Sequence, residues 1–281
     1  MILIADSGST KTEWCLSTQG QIKQRILTAG MNPFFQTEED IVAEIKKNLY
    51  PQIQDETIDT IYFYGAGCAF PDKNDLVEKA IQTNFPDASI FIHSDLLGAA
   101  RSLCQHSKGI ACILGTGSNS CLYDGENILD HVSPLGFILG DEASGAVLGR
   151  QFVGDCLKRQ IPKSLQNAFL DYYKLTPAMI MEQVYKQPFP NRFLAQFTRF
   201  MAEHLDEPCI KVLIYDQMRI FMQRNVMNYK EHEDILIHCT GSIAWHFKDI
   251  LKGAAQSLDL HLGTITQAPM EGLLAYHKNE H

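Results

Sequence analysis

Hydrophobic residues run along this chain in two rhythms. Ile2, Leu3, Ile4 and Ala5 form an unbroken apolar run, as in a buried strand, while Thr12, Trp14 and Leu16 alternate with polar neighbours as its hairpin partner would. Residues 21–30 predict a third strand. Apolar positions three and four apart then predict an amphipathic helix over 38–50, and 58–67 reads as a strand ending in glycines. A helix over 75–85, a strand over 88–93 and a helix over 96–105 follow. This alternation predicts an α/β sheet with some parallel pairs. Residues 145–230 turn mostly helical, and 234–251 return to strand, glycine turn and helix.

The break after the first strand carries the first candidate chemistry. Asp6 ends the apolar run, and Ser7-Gly8-Ser9-Thr10, followed by Lys11, forms the predicted turn. Such a turn lets the backbone approach a ligand closely and aim N–H groups at phosphate oxygens, with Asp6 poised for a hydrated magnesium ion. Ordinary hairpin chemistry explains the same residues, because Gly and Ser dominate turns. The stretch "CILGTGSNSCLYDG" repeats the arrangement, pairing Gly8 with Gly117 and Ser9 with Ser118 at an offset of 109 residues. A repeat at that scale predicts duplicated domains, each with a phosphate-facing turn, rather than two unrelated hairpins.

Bulk properties narrow the partners. A chain of 281 residues with 45% hydrophobic content predicts two domains with sizeable cores. Lys+Arg of 24 against Asp+Glu of 33 leaves a net charge of −9, which argues against nucleic acid or an anionic membrane surface. The eight cysteines form no C-x-x-C pair and read as reduced, buried thiols. No apolar run approaches the roughly 18 residues of a membrane span, and no basic leader precedes the first strand, so a soluble, cytoplasmic protein is expected. "EHEDILIHC" holds ligand-type residues, but alternation assigns His238 and Cys239 to a strand.

Asp95 stands where the strand over 88–93 gives way to a helix, at the edge where open α/β sheets place their sites. Either Ser94 or Asp95 would also serve as an ordinary cap for that helix. Five motifs in order, "DSGSTKTEW", "SDLLGAA", "GTGSNS", "GDEASG" and "CTGSIAWHF", resemble the N-acetylglucosamine kinase family, in the BadF/BadG-type branch of the actin, sugar kinase and Hsp70 superfamily. They span nearly the whole chain. The resemblance implies two duplicated actin-like ATPase (ribonuclease H-like) domains with an interdomain cleft. These would be an N-terminal domain over 1–107, with a C-terminal helix of about 269–281 packing back on it, and a C-terminal domain over 108–268 with a helical insertion near 150–230.

The same resemblance implies an ATP-dependent kinase acting on an amino sugar, N-acetylglucosamine to its 6-phosphate, with ATP and Mg2+ as cofactors. It assigns Asp95 as the base and Asp6 to the metal. Ser7, Gly8, Ser9, Thr10 and Lys11 would hold one side of the triphosphate, with Gly115, Thr116, Gly117 and Ser118 on the other, and Gly241 and Ser242 would touch the nucleotide. Asn32, Gly67, Asn119 and Asp141 would bind the sugar. Asn32 before Pro33 also reads as turn chemistry, and Asp141 with Glu142 as a helix cap. Partners would be a small-molecule sugar, with neither nucleic acid nor membrane, and a homodimer is left open.

Two departures from the family pattern bear on the substrate. Ser7 and Ser9 stand where many relatives carry glycine, and the chain is short for the insertions that shape a sugar pocket. Two other readings of the same motifs are an ATPase that energises an enzyme partner and a nucleotide-dependent sugar sensor without turnover. The ATPase relatives hold an iron–sulfur cluster through cysteines; here Cys68 lacks a convincing second ligand.

Overall fold

The computed structural model describes residues 1–8 and 10–279. Its first unit comprises Met1–Lys108, Tyr123–Ile128 and Ala268–His281, and its second Gly109–Leu122 and Leu129–Gln267.

In the first unit, β1 (Ile2–Ser7), β2 (Lys11–Thr18), β3 (Gln21–Ala29), β4 (Thr60–Gly65) and β5 (Ser89–Ser94) form one sheet in the order β3-β2-β1-β4-β5. The meander β1–β2–β3 is antiparallel, whereas β4 and β5 run parallel to β1. The unbroken apolar run of β1 follows from its central place, because both faces are covered. Side chains alternate across a strand, so Leu3 and Ala5 enter one cluster with Trp14, Ile41, Val77 and Ile81, while Ile2 and Ile4 enter another with Leu273 and Leu274.

Helices α1 (Glu38–Glu44), α2 (Tyr50–Ile53) and α3 (Pro71–Asn84) supply partners for the first face. The predicted helix over 38–50 is interrupted by a π-turn at Ile45–Leu49, just before Pro51, which has no N–H to continue an α-helical ladder. Helix α4 (Asp95–Cys104) follows β5 directly. The C-terminal segment later returns to it, with the Ser102 hydroxyl donating to the Pro269 carbonyl at 2.8 Å.

The second sheet repeats the strand order. Strands β6 (Gly109–Leu114), β7 (Ser118–Tyr123), β8 (Ile128–Asp130), β9 (Ile237–Thr240) and β10 (Leu262–Thr266) lie as β10-β9-β6-β7-β8. Three residues separate β6 from β7, too few for a parallel crossover, so they form a hairpin. Strand β9 runs parallel to both β6 and β10. Between β8 and β9 lie α5 (Gly136–Leu139), α6 (Gly145–Leu157), α7 (Lys163–Tyr173), α8 (Pro177–Lys186), α9 (Pro190–Ala195), α10 (Thr198–Glu203) and α11 (Pro208–Arg224). Helices α12 (Ser242–His246) and α13 (Lys248–Gln256) follow β9, and α14 (Met270–Tyr276) belongs to the first unit. The insertion shares one core with the sheet, within which Phe152, Phe169, Phe197 and Phe200 pack edge-on or tilted at centroid distances of 5.0–5.9 Å. These two α/β sheets with one strand order define an actin-like ATPase fold. No helix among the described residues is long and apolar enough to cross a membrane.

The two-sided burial of β1 has a measurable consequence. Leu273, fully buried against the Ile2/Ile4 face, should cost about 2–5 kcal/mol when changed to Ala, as large core deletions do. Leu27→Ser on β3, at 64% exposure, should stay within about 0.5 kcal/mol of wild type. Urea unfolding of both variants checks the pair; equal losses would remove the second face from the core.

Candidate active site

Parallel register brings the first group of candidate residues to one sheet edge. Ser7 pairs with Gly65 and Gly65 with Ser94, so β1, β4 and β5 end level and place Asp6, Gly67 and Asp95 on their carboxyl side. Asp95 is the first residue of α4, but it is not the cap. That part is taken by the Ser94 hydroxyl, which accepts from the Leu97 N–H at 3.2 Å. Asp95 Oδ1 accepts the Leu96 N–H at 2.9 Å.

Burial raises the Asp95 pKa well above the ordinary carboxylate range, against the pull of the Leu96 amide and its own. Asp6 is pushed up to about 7, first by burial, then by the negative charges of Asp95 and Glu13, with Lys11 opposing. Glu13 lies directly across from Asp6 in the β1–β2 register and is held by Arg25 Nη1 at 2.9 Å. Cys68 joins this group, its thiol pushed up to about 12 by burial and by Asp95.

The first turn differs from its reading in the sequence. Ser7 is buried, and its hydroxyl lies 2.7 Å from that of Thr12, donates to the Met31 carbonyl at 3.0 Å and accepts the Met31 N–H at 3.1 Å. Its side chain therefore braces the turn internally instead of facing a ligand. The Gly8 N–H likewise closes the turn on the Lys11 carbonyl at 3.0 Å. Thr10 and Lys11 are exposed. Ser9 lies outside the described residues.

Bracing by Ser7 also fixes Asn32, the residue after Met31. Its Oδ1 accepts the Phe34 N–H at 3.0 Å and its N–H donates to Gln36 Oε1 at 2.8 Å, which leaves the Nδ2 donors without a partner among the described residues. Turn chemistry and ligand chemistry thus share one side chain. Gly67 adjoins it with φ +87, and a Cβ there would sit 2.6 Å from Asn32 Oδ1.

In the second unit, the Gly115–Ser118 turn is stitched to the start of α6. The Gly145 and Ala146 N–H groups donate to the carbonyls of Gly115 and Thr116 at 2.8 and 3.1 Å. Asp141 faces this turn: its carboxylate accepts the Ser118 amide, and Oδ2 lies 3.1 Å from where a Gly117 Cβ would stand. Burial, then the charge of Glu142, outweigh the Ser118 amide and lift Asp141 to about 6. Neither acid caps α6, because the Ser144 hydroxyl accepts the Val147 N–H at 3.2 Å.

Asn119 is narrower in scope than its sequence reading. Its Oδ1 already bonds the Ser120 N–H and His131 Nε2 at 2.9 and 2.8 Å, so only its amide donors remain for a ligand. Gly241 has φ +117, and a Cβ there would overlap the Leu114 carbonyl; its own carbonyl accepts from Trp245 N–H at 3.0 Å, opening α12 at Ser242. Sequence reading missed Glu13 and Glu142. The β1–β2 register sets Asp6 opposite Glu13, and nothing local marks the partners of Glu142.

No protein-family model and no curated protein matches the chain. Among solved structures, a protein assigned as an N-acetylglucosamine kinase from Porphyromonas gingivalis is 49% identical, with a TM-score of 0.97 over 100% of both chains. A protein with the same assignment from Chromobacterium violaceum is 17% identical, with a TM-score of 0.73 over 98% of each chain. A glucokinase from Streptomyces griseus, solved with glucose and AMPPNP, is 14% identical, with a TM-score of 0.56 over 98% of this chain and 97% of that one. The last two show the fold alone. The shared strand order of the two sheets defines the actin-like ATPase fold class. Full-length identity of 49% then assigns the chain to the N-acetylglucosamine kinase family.

The crowded acids carry a prediction about stability. Asp6 has a folded pKa of about 7 against 3.8 in the unfolded chain, so its protonated form favours the fold below about pH 4, and that contribution is lost as pH rises to about 7. Asp6→Asn removes the titration. With no metal or nucleotide added, the variant should gain about 3 kcal/mol on wild type between pH 4.5 and 7.5, at ~1.4 kcal/mol per pH unit up to about pH 7. Urea midpoints at both pH values measure it, and a constant difference would mean that Asp6 is ionised throughout.

Proposed function

We propose that this protein is an ATP-dependent kinase that phosphorylates an amino sugar, N-acetylglucosamine, at its 6-hydroxyl. The observation that carries the reading is the carboxylate of Asp95. It stands at the carboxyl edge of the sheet with a raised proton affinity, while Ser94 performs the capping that would otherwise explain an acid there.

Phosphoryl transfer asks a protein mainly to position reactants and to oppose charge on the transferred group. Asp95 accepts the proton of the sugar hydroxyl as that oxygen forms its bond to the γ-phosphorus and the bond to the departing ADP oxygen breaks. A base of raised pKa suits a hydroxyl that becomes acidic only as it attacks. The Asn32 Nδ2 donors and the Asp141 carboxylate hold sugar hydroxyls, and Gly67 lets the backbone pack closely against Asn32. Asn119 contributes its amide donors. Lys11, with the exposed part of the first turn, and the Gly115–Ser118 turn oppose phosphate charge. Gly241 and Ser242 serve the nucleoside.

A magnesium ion fits the donor set around Asp6. The side chain offers hard oxygen, and the ion takes one or two carboxylates and completes its shell with water and phosphate. No group of three metal-binding side chains occurs among the described residues, which suits that mode of binding. When bound, magnesium would neutralise phosphate oxygens and return Asp6 to its charged form.

Seven of the eight cysteines are buried, which supports a reducing compartment and a cytoplasmic setting. Exposed Leu135, Ile138 and Leu139 support a homodimer.

Asp95→Asn keeps shape while deleting the base, so kcat should fall ~10²- to 10⁴-fold with the sugar Kd within about twofold. Retention of more than half the wild-type kcat would remove Asp95 as base. For wild type, ADP and sugar 6-phosphate should appear in equal amounts with N-acetylglucosamine, ATP and magnesium. ADP without sugar phosphate would instead favour the partner-energising ATPase, and sugar binding without turnover the sensor.

A further inference from the structure

We propose that Glu142 is a positioning residue whose anchorage to the end of α11 holds Asp141 against the Gly115–Ser118 turn. The proposal rests on Asp141 being a sugar ligand. Its starting point is backbone conformation: Asp141 and Ala143, neither of them glycine, have φ of +53 and +59 on either side of Glu142. Such a stretch persists only where its surroundings over-determine it.

The restraints are visible. The Asp141 N–H donates to the Pro134 carbonyl at 2.9 Å, the Ser144 N–H returns to the Asp141 carbonyl at 3.0 Å, and Ala143 is fully buried. Glu142 supplies the link that local turns cannot. Its side chain is 10% exposed; Oε1 lies 3.0 Å from Arg224 Nε, and Oε2 accepts from Asn225 Nδ2 at 3.2 Å. Asn225 is itself buried, and its Nδ2 also donates to the Phe221 carbonyl at 3.2 Å. A buried carboxylate is a costly way to fill space, and Ser144 already caps α6, so helix capping does not account for it. Around Glu142, the charged groups that face it are Arg224 and Asp141. Fixing Glu142 to α11 thus fixes its neighbour, whose carboxylate takes the Ser118 amide.

Three variants test the anchor. Asn225→Asp sets a second carboxylate against Glu142 and should raise the sugar KM about tenfold, within the range for residues sharing one hydrogen-bond network, with kcat and the ATP KM within about twofold. Arg224→Ala, at a side chain 60% exposed and so tolerant of change, should raise it about threefold. Combining Asn225→Asp with Glu142→Gln restores a donor and an acceptor in reversed roles between the two side chains and should recover part of the loss, the lost bond to the Phe221 carbonyl accounting for the rest; general damage to the fold would allow no recovery. Hydrogen exchange at the Ser118 amide needs no substrate: it should quicken in Asn225→Asp and slow again in the double variant. Unchanged Ser118 exchange in the single variants, or a fall in kcat with the sugar KM unmoved, overturns the proposal. If wild type phosphorylates no sugar, the kinase reading fails, while Ser118 exchange still decides whether Glu142 holds Asp141.

Discussion

Asp6 and Asp95 are two carboxylates kept in each other's field with little water to share the charge. That arrangement opposes folding at neutral pH, and much of the first unit is built to hold it. Parallel pairing of β1, β4 and β5 ends the strands level, which fixes where both acids stand. Ser94 takes over the capping of α4, so the carboxylate of Asp95 does not serve as its cap. Ser7 turns inward to bind Met31 at both its N–H and its carbonyl, and so places Asn32 as well. A crowded pair of acids makes physical sense where a divalent cation and a proton are to be exchanged, because either one relieves the repulsion.

The second unit reaches the same strand order by other means. Its sheet is backed by a large helical insertion whose aromatic residues share the sheet's core, and its glycine turn is held by the first turn of α6 rather than by a buried serine. Left-handed backbone at Asp141 and Ala143 replaces the strand-end geometry that presents Asp6. In both units a candidate acid adjoins a residue that itself faces inward: Ser7 beside Asp6, Glu142 beside Asp141. Full-length similarity to a structure with a TM-score of 0.97 fits a fold whose fixed points are distributed over the whole chain.

Several features are legible from residue order because their causes are local. Two-sided apolar character marks β1 as central, alternation marks β2, and glycine with serine between them marks a turn, although the register that sets Asp6 opposite Glu13 appears only in the structure. The glycine–serine repeat marks the second hairpin, although the strands recur at 107 residues, Ile2 to Gly109 and Lys11 to Ser118, and not at the 109 of the sequence match; the α/β class follows from the order of elements. Strand β10 escaped that reading because Leu262–Thr266 is only partly buried and carries no clean alternation. The π-turn at Ile45–Leu49 escaped it too, since apolar spacing through those residues still looks helical.

Side-chain roles are another matter, for they depend on contacts between distant positions. Residue types at 6, 95 and 141 announce acids at turns and helix starts, but whether such an acid caps, pairs or stays free depends on what folds against it. Ser7 finds Met31 24 residues away, and Glu142 finds Asn225 across 83. Hydrogen bonds have short reach and strict direction, so a partner is chosen only when the chain has brought two groups within about 3 Å, and no local pattern encodes that meeting. Hydrophobic periodicity, by contrast, is a property of one segment against a generic apolar interior. Elements could therefore be read before the fold was known, and the duties of their polar side chains only after it.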